Sequence, residues 1–123
     1  MRDRPSLQVT RDEPGDPRAV IFRLAGKVTG TRECYEFLED VRDAIRAGRT
    51  MVVLNLERVE KMSSPGIGIL AACYTSAVRA DSRLGLVAVP EPVAVLLQIV
   101  RLWDLLPRYA SEQEALTALA QPR

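Results

Sequence analysis

Residues 51–70 read MVVLNLERVEKMSSPGIGIL, and this stretch decides the fold. Its first part, residues 51–56, is a short and nearly continuous apolar run, which is typical of a central strand covered on both faces. Its last part, from Pro65 to about Arg79, is rich in small and apolar residues and predicts a helix packed closely on a sheet. A strand followed by a helix in this order indicates a crossover onto a parallel sheet.

The chain before this stretch predicts two strands and one helix. Residues 6–11 alternate apolar and polar side chains, and residues 19–24 form a β-rich run after a turn-forming loop, so we expect an antiparallel pair. A helix then follows Thr29 or Thr31, either of which can cap it, and Gly48 is suited to end it. Its apolar stripe has the i, i+4, i+7, i+11 spacing and consists of Cys34, Leu38, Val41 and Ile45.

The chain after this stretch predicts one more strand and two helices. Residues 84–89 repeat the apolar character of residues 51–56. A third helix begins near Pro92, ends by Pro107 and is expected to turn these side chains inward: Val93, Leu96, Leu97, Val100 and Trp103. Ser111 opens a capping-box pattern, SEQE, which predicts a last short helix.

Together these elements predict a single α/β domain. Its sheet is mixed and mostly parallel, with about four strands of which the N-terminal one is antiparallel, and it packs with about four α-helices. We expect residues 1–5 to form a disordered tail and residues 6–120 to form the domain. A chain of 123 residues suits one domain of this kind.

Composition excludes several classes of function. The chain has no histidine and two cysteines, so it offers no Ser-His-Asp or Cys-His triad and no histidine-based or four-cysteine metal site. A formal net charge of +1 and an aromatic content of 5% argue against nucleic acid as the main partner. We therefore expect no catalytic residue, no metal, no cofactor and no direct contact with nucleic acid.

The N-terminal residues and the cysteines predict a cytoplasmic location. The charged start MRDRP is not followed by an apolar segment, which argues against a signal peptide. The longest apolar stretch, residues 93–100, is too short to span a bilayer, so we expect no membrane insertion. Two cysteines without framework spacing fit a reducing compartment.

The segment of residues 63–68, here called the 63–68 segment, admits a purely structural interpretation. Ser64 precedes a proline, which favours extended backbone and suits an N-cap, with Pro65 as the first helical residue. Gly66 and Gly68 would then permit close packing. This arrangement would place a serine hydroxyl at the positive end of a helix and at the rim of the sheet.

Two catalytic or ligand-binding alternatives are less favoured. Gly66-x-Gly68-x-x-Ala71 formally matches a dinucleotide fingerprint, but the glycines lie about ten residues beyond the predicted strand and the chain has no second mononucleotide-binding half. An enzyme or small-ligand carrier remains open at the level of fold alone. However, Ser63 and Ser64 have no histidine to act as a base, and Lys61 is more typical of a solvated charge.

Four groups of residues together resemble the STAS domain of bacterial anti-sigma factor antagonists. The resemblance runs from about Leu7 to Leu119 and thus over nearly the whole chain. It is carried by Leu54-Asn55-Leu56-Glu57, by Met62-Ser63-Ser64-Pro65-Gly66-Ile67-Gly68-Ile69-Leu70, by Leu84-Gly85-Leu86-Val87, and by Leu105-Leu106-Pro107-Arg108-Tyr109 with Ser111-Glu112-x-Glu114-Ala115-Leu116.

The resemblance implies the positions of the functional residues. In the family the segment reads Asp-Ser-Ser/Thr-Gly-Leu-Gly and its first serine is phosphorylated, which places the phosphoacceptor on Ser64. Ser63 stands where the family has the aspartate, and Lys27 and Thr29 stand where it often has two acids that contact the partner. The implied partner-binding residues are Lys27, Thr29, Ser63, Ser64, Pro65, Gly66, Ile67 and Gly68.

The resemblance also implies a function without catalysis. An unmodified chain would bind an anti-sigma factor that is also a serine protein kinase, and phosphorylation at Ser64 would release it. A PP2C-type serine phosphatase would reset the switch. The alternative is a STAS scaffold or adaptor that is not phosphorylated and acts in a sensory assembly or beside a transport ATPase.

Overall fold

Strands and helices alternate along most of the chain in the computed structural model, which describes residues 6–122. The elements are β1 (Leu7–Asp12), β2 (Ala19–Val28), α1 (Arg32–Arg46), β3 (Met51–Met62), α2 (Ser64–Arg79), β4 (Arg83–Val87), α3 (Glu91–Ile99), β5 (Arg108–Tyr109) and α4 (Glu112–Leu119). The predicted tail of residues 1–5 lies outside the described residues. No helix within residues 6–122 is long and apolar enough to cross a membrane.

The sheet has the strand order β1-β2-β3-β4-β5, and the predicted fold class is confirmed. β1 pairs with β2 in antiparallel orientation, and every other neighbouring pair is parallel. β5 is a strand that the sequence pattern did not predict. It has two residues, which is too short to show an alternation of apolar and polar side chains.

The two faces of the sheet are covered by different helices. On one face α1, α2 and α3 pack in one apolar cluster with alternate residues of the strands, among them Phe22 and Leu54. On the other face Ala115 and Leu119 of α4 form a second apolar cluster with Ile21, Val53 and Val87 of the strands. β2 and β3 are therefore buried on both faces over much of their length, which explains their nearly continuous apolar runs.

α1 has the caps and the apolar stripe that its sequence predicts. Thr31, and not Thr29, occupies the N-cap position. Gly48 follows the helix with φ +103°, a left-handed conformation that glycine adopts without strain. The Gly48 N–H donates to the carbonyl oxygen of Ile45 at 3.0 Å. The stripe residues Cys34, Leu38 and Val41 are buried, while Ile45 is partly buried.

β3 is twice as long as predicted. It continues from residue 56 to Met62 because β2 also extends, to Val28, and supplies a hydrogen-bonding partner along this length. The extension contains exposed charged side chains, so the apolar pattern that predicts a buried strand does not continue through it. Only Ser63 separates β3 from α2. The expectation that the glycines lie about ten residues beyond the strand is therefore wrong, and that distance is no ground for excluding a nucleotide site.

α3 is shorter than predicted and ends at Ile99. Val100 is exposed and not inward as expected, because it lies at the C-cap, where the chain leaves the helical path. Trp103 is partly buried and packs against the core, as predicted. The helix start predicted at Ser111 is confirmed: its hydroxyl accepts a hydrogen bond of 3.1 Å from the Glu114 N–H, while the Glu114 carboxylate accepts from the Ala110 N–H at 3.2 Å instead of from the Ser111 N–H.

Candidate functional site

The 63–68 segment lies where the carboxyl ends of β2 and β3 meet. Val28 and Met62 are register partners at the end of the two strands. Directly afterwards the Ser63 N–H donates a hydrogen bond of 3.0 Å to the carbonyl oxygen of Val28. The start of α2 is thereby fixed to the end of β2.

The N-cap of α2 is Ser63, and the prediction that Ser64 is the cap is wrong. Ser63 has extended backbone, with φ −104° and ψ 176°, and its hydroxyl accepts a hydrogen bond of 3.4 Å from the Gly66 N–H. Ser64 and Pro65 are the first two helical residues. Proline fits there because the first turn leaves its N–H groups without intrahelical partners.

Ser64 presents a free hydroxyl at the surface. Its side chain is exposed, and among residues 6–122 it has no hydrogen-bonding partner. The residue belongs to the first turn of a sixteen-residue helix, where the helix dipole is positive. The first turn of α2 contains no acidic side chain to compensate this positive end.

The two glycines of the segment have different surroundings. A Cβ atom on Gly66 would lie 2.1 Å from the carbonyl oxygen of Val28, so only glycine permits this contact between helix and strand. A Cβ atom on Gly68 would meet nothing within 4 Å, and Gly68 is exposed. The expectation of close packing therefore holds for Gly66 and fails for Gly68. Ile67 is buried in the core, whereas Pro65 is exposed.

Lys27 and Thr29 lie at the same corner, at the end of β2. Lys27 is exposed and is the register partner of Lys61 on β3. Neither ammonium group forms an ion pair with another of the described residues. Two uncompensated positive charges therefore lie side by side on the strands that lead to the candidate site.

Cys34 anchors the backbone that carries Lys27 and Thr29. Its sulfur accepts hydrogen bonds from the Thr29 N–H at 3.3 Å and from the Thr31 hydroxyl at 3.2 Å. The thiol also donates to the Lys27 carbonyl oxygen at 3.8 Å. The side chain is fully buried, as predicted for a small apolar residue, and it has a polar role in addition.

The sequence did not predict a polar cluster on the face of the sheet that α4 covers. The Glu112 carboxylate accepts two hydrogen bonds of 2.8 Å from Arg23 and one of 2.7 Å from the Asn55 amide. The hydrogen bonds from Arg23 lower the pKa of Glu112, and those to Glu112 raise the pKa of Arg23. Arg23 and Asn55 each interrupt an apolar run and are register partners, which is the signal that could have revealed them.

The cluster borders an open cleft of about 620 Å³. The cleft lies beyond the end of β4 and is lined mostly by polar residues, including Gln8, Thr10, Arg58 and Ser111. Residues 6–122 contain no group of three or more acidic, cysteine or histidine side chains arranged to hold a metal ion. The cleft and the 63–68 segment are separate features of the surface.

Solved structures of similar proteins share this fold. An anti-sigma factor antagonist from Mycobacterium paratuberculosis is 20% identical, with a TM-score of 0.79 over 94% of this chain and 96% of that chain. The Bacillus cell fate determinant SpoIIAA in its phosphorylated form is 21% identical, with a TM-score of 0.69 over 91% and 97%. A sulfate transporter family protein from Wolinella succinogenes is 18% identical, with a TM-score of 0.71 over 83% and 84%.

The sequence itself defines the relationship more closely than these structures do. No curated protein matches the chain. The family model described as the STAS domain matches residues 10–115, a range that includes the 63–68 segment and both register-paired lysines. Since the match covers most of the chain, this protein belongs to the STAS domain family.

Proposed function

We propose that this chain is an anti-sigma factor antagonist controlled by phosphorylation at Ser64. In the unmodified state the 63–68 segment, with Lys27 and Thr29 beside it, binds an anti-sigma factor that is also a serine protein kinase. Binding displaces the sigma factor. Phosphorylation by the bound kinase releases the antagonist, and a PP2C-type serine phosphatase regenerates it.

The state of the Ser64 hydroxyl carries this proposal. It is exposed and unbonded, whereas the adjacent Ser63 hydroxyl is half-buried and engaged with the Gly66 N–H. A kinase can therefore reach Ser64 without breaking a hydrogen bond of the domain. The family aspartate is replaced by Ser63 at the N-cap, where serine and aspartate are about equally effective, so the local geometry that presents the next hydroxyl is retained.

The covalent step is a phosphoryl transfer from ATP. The oxygen of Ser64 forms a bond to the γ-phosphorus as the bond between this phosphorus and the bridging oxygen of ADP breaks. The hydroxyl proton passes to a base of the kinase, and ADP leaves. The product carries about −1.5 to −2 charges at pH 7.

The position of the new charge explains how binding fails while the fold persists. At the start of α2 the phosphate meets the positive end of the helix dipole, which favours an anion. Within an interface the same group must be desolvated and repels acidic side chains of the partner. A tenfold loss of affinity requires only about 1.4 kcal/mol.

Lys27 and Lys61 indicate the charge of the partner surface. Because neither has an ion pair among the described residues, acidic side chains of a partner can pair with them. Phosphorylation at Ser64, three residues after Lys61, adds about −1.5 to −2 charges and would cancel most of the +2 of this pair. We therefore expect Lys27→Glu to weaken binding of the unmodified chain even though Ser64 is intact.

The test is phosphorylation by the serine kinases of the anti-sigma factor type encoded in the same genome. The chain is incubated with ATP and each kinase in turn, and the modified residue is located by mass spectrometry. We expect one phosphate, on Ser64, and none in Ser64→Ala. Phosphate on Ser63 would contradict the assignment.

Binding measurements separate the charge effect from general damage. Ser64→Asp should bind the kinase at least tenfold more weakly than the wild type. Ser111→Asp is the matched control, because it adds the same charge at the N-cap of α4 and should bind normally. Equal binding by wild type and Ser64→Asp would rule out the switch.

That outcome would favour the adaptor that is not phosphorylated, which is the second candidate. The likeness of the fold to the sulfate transporter family protein from Wolinella succinogenes supports it, as does the replacement of two family acids by Lys27 and Thr29. An adaptor requires stable binding that does not change with ATP. Binding to a transport ATPase or a sensory partner that persists in Ser64→Asp would identify it.

A further inference from the structure

Seven of the nine residues of α3 are apolar, although one side of the helix faces solvent. Its sequence is EPVAVLLQI, and Val93 and Leu97 are buried in the core. On the outer side Val95 is 44% exposed and Ile99 is 69% exposed. A surface helix normally has a polar outer side, so two exposed aliphatic side chains in one row are unusual.

The outer side forms a stripe with a charge at each end. Glu91, Val95 and Ile99 are four residues apart and therefore lie in one row along the helix. Arg101 follows shortly after the end of the helix. Glu91 and Arg101 are both exposed, and neither forms an ion pair with another of residues 6–122.

The backbone of Arg101 has a conformation that is uncommon for a residue other than glycine. Its N–H donates to the Gln98 carbonyl oxygen at 3.1 Å, and the next N–H donates to the Leu97 carbonyl oxygen at 2.8 Å. This is a Schellman motif, in which the residue at the position of Arg101 is usually glycine. Arg101 has φ +63°, in the left-handed region; α1 ends in the same motif with Gly48, and α2 ends in it with Asp81 at φ +61°.

We propose that α3 is the contact surface of a homodimer in which two copies of α3 pack antiparallel. A twofold axis places the same surface on both sides of the contact, so the surface must complement itself. The stripe meets this condition, because Glu91 of one copy would lie near Arg101 of the other, at both ends of an apolar centre formed by Val95 and Ile99. A partner of another kind would not require opposite charges at the two ends.

Sedimentation equilibrium of the full chain from micromolar to millimolar concentration tests the proposal. We expect the mean mass to rise from that of one chain towards that of two. Ile99→Asp should abolish this rise, because it places a charge at the apolar centre. Val78→Asp is the matched control, since Val78 is a similarly exposed aliphatic residue, 54% exposed, on α2. It should associate like the wild type.

Charge exchange tests the antiparallel arrangement. Glu91→Arg and Arg101→Glu should each weaken association roughly tenfold, because a twofold dimer contains each pair twice. The double variant should restore it. Arg101→Gly should raise the midpoint of thermal unfolding at a concentration where the chain is monomeric, and still weaken association.

Several outcomes would overturn the proposal. They are a single-chain mass at every concentration, association that survives Ile99→Asp, and a double charge variant that associates no better than the two single variants. Each readout is the mass of the chain without kinase or ATP. A failure here would therefore leave the switch at Ser64 untouched, and a failure of that switch would leave the dimer untouched.

Discussion

The Ser63 N–H donates a hydrogen bond of 3.0 Å to the carbonyl oxygen of Val28, and this bond joins the N-cap of α2 to the end of β2. A Cβ atom on Gly66 would lie only 2.1 Å from the same carbonyl oxygen. The exposed Ser64 hydroxyl is therefore held between two contacts with β2. Its position depends on how closely the helix approaches the strand.

Gly66→Ala should destabilise the domain by about 2 to 3 kcal/mol, the cost of inserting a methyl group against backbone that cannot move aside easily. Gly68→Ala should instead stabilise it by about 0.5 to 1 kcal/mol, because its Cβ meets open space within a helix. Urea unfolding at neutral pH measures both. Equal effects of the two variants would show that the contact with Val28 is not tight.

Ser63→Ala should lower the free energy of unfolding by about 0.5 to 1 kcal/mol, because the variant loses the hydroxyl that accepts a hydrogen bond from the Gly66 N–H. Ser63→Asp should be close to neutral, since aspartate caps as well and places a negative charge at the positive end of α2. The comparison uses thermal unfolding of the three proteins. If Ser63→Asp lowered the free energy of unfolding as much as Ser63→Ala does, the N-cap would require serine.

Periodicity predicted the order of the main elements because most of them bury one continuous apolar run or stripe. It missed β5, which has only two residues. It also missed the second half of β3, where exposed charged residues and two shifts in the register with β2 break the alternation of apolar and polar side chains. Pairing with a neighbouring strand creates both elements. Such pairing depends on contacts between residues distant in sequence, which a local pattern does not contain.

At the candidate site the sequence pattern predicted the 63–68 segment correctly but placed the N-cap of α2 one residue too late. The proline rule favoured Ser64 as the extended residue, but the hydrogen bond from Ser63 to Val28 fixes the extended residue one position earlier. The pairing of Lys27 with Lys61 could not be predicted, because it follows from the register of β2 and β3 beyond an irregularity.

Both cysteine thiols should be unreactive in the folded protein. Burial raises the pKa of Cys73 to about 12, so its reactive thiolate is scarce at mildly alkaline pH, and Cys34 is fully buried among hydrogen-bonding partners. We expect an aromatic disulfide reagent to react with the folded chain roughly a hundredfold or more slowly than with the chain in urea. Rapid reaction of either thiol in the folded chain would contradict the burial.

Glu112→Gln should destabilise the domain by about 1 to 2 kcal/mol at neutral pH, because the charged hydrogen bonds to Arg23 and Asn55 weaken. The pKa of Glu112 is lowered in the folded chain from its ordinary value of 4.5. The stabilisation from its charge is therefore fully present well above pH 4.5 and is lost as the pH falls through the lowered pKa. The difference in free energy of unfolding between wild type and variant should shrink over that acidic range.

Glu57→Gln provides the control for this pH dependence. Glu57 is an exposed carboxylate that lines the same cleft, and it has no ion pair with another described residue. Its effect on stability should be small and should not change in the same way with pH. Urea unfolding of the three proteins between pH 7 and acidic pH gives the comparison. A Glu112→Gln difference that persists unchanged into acid would show that packing, and not the charge paired with Arg23, supplies the stability.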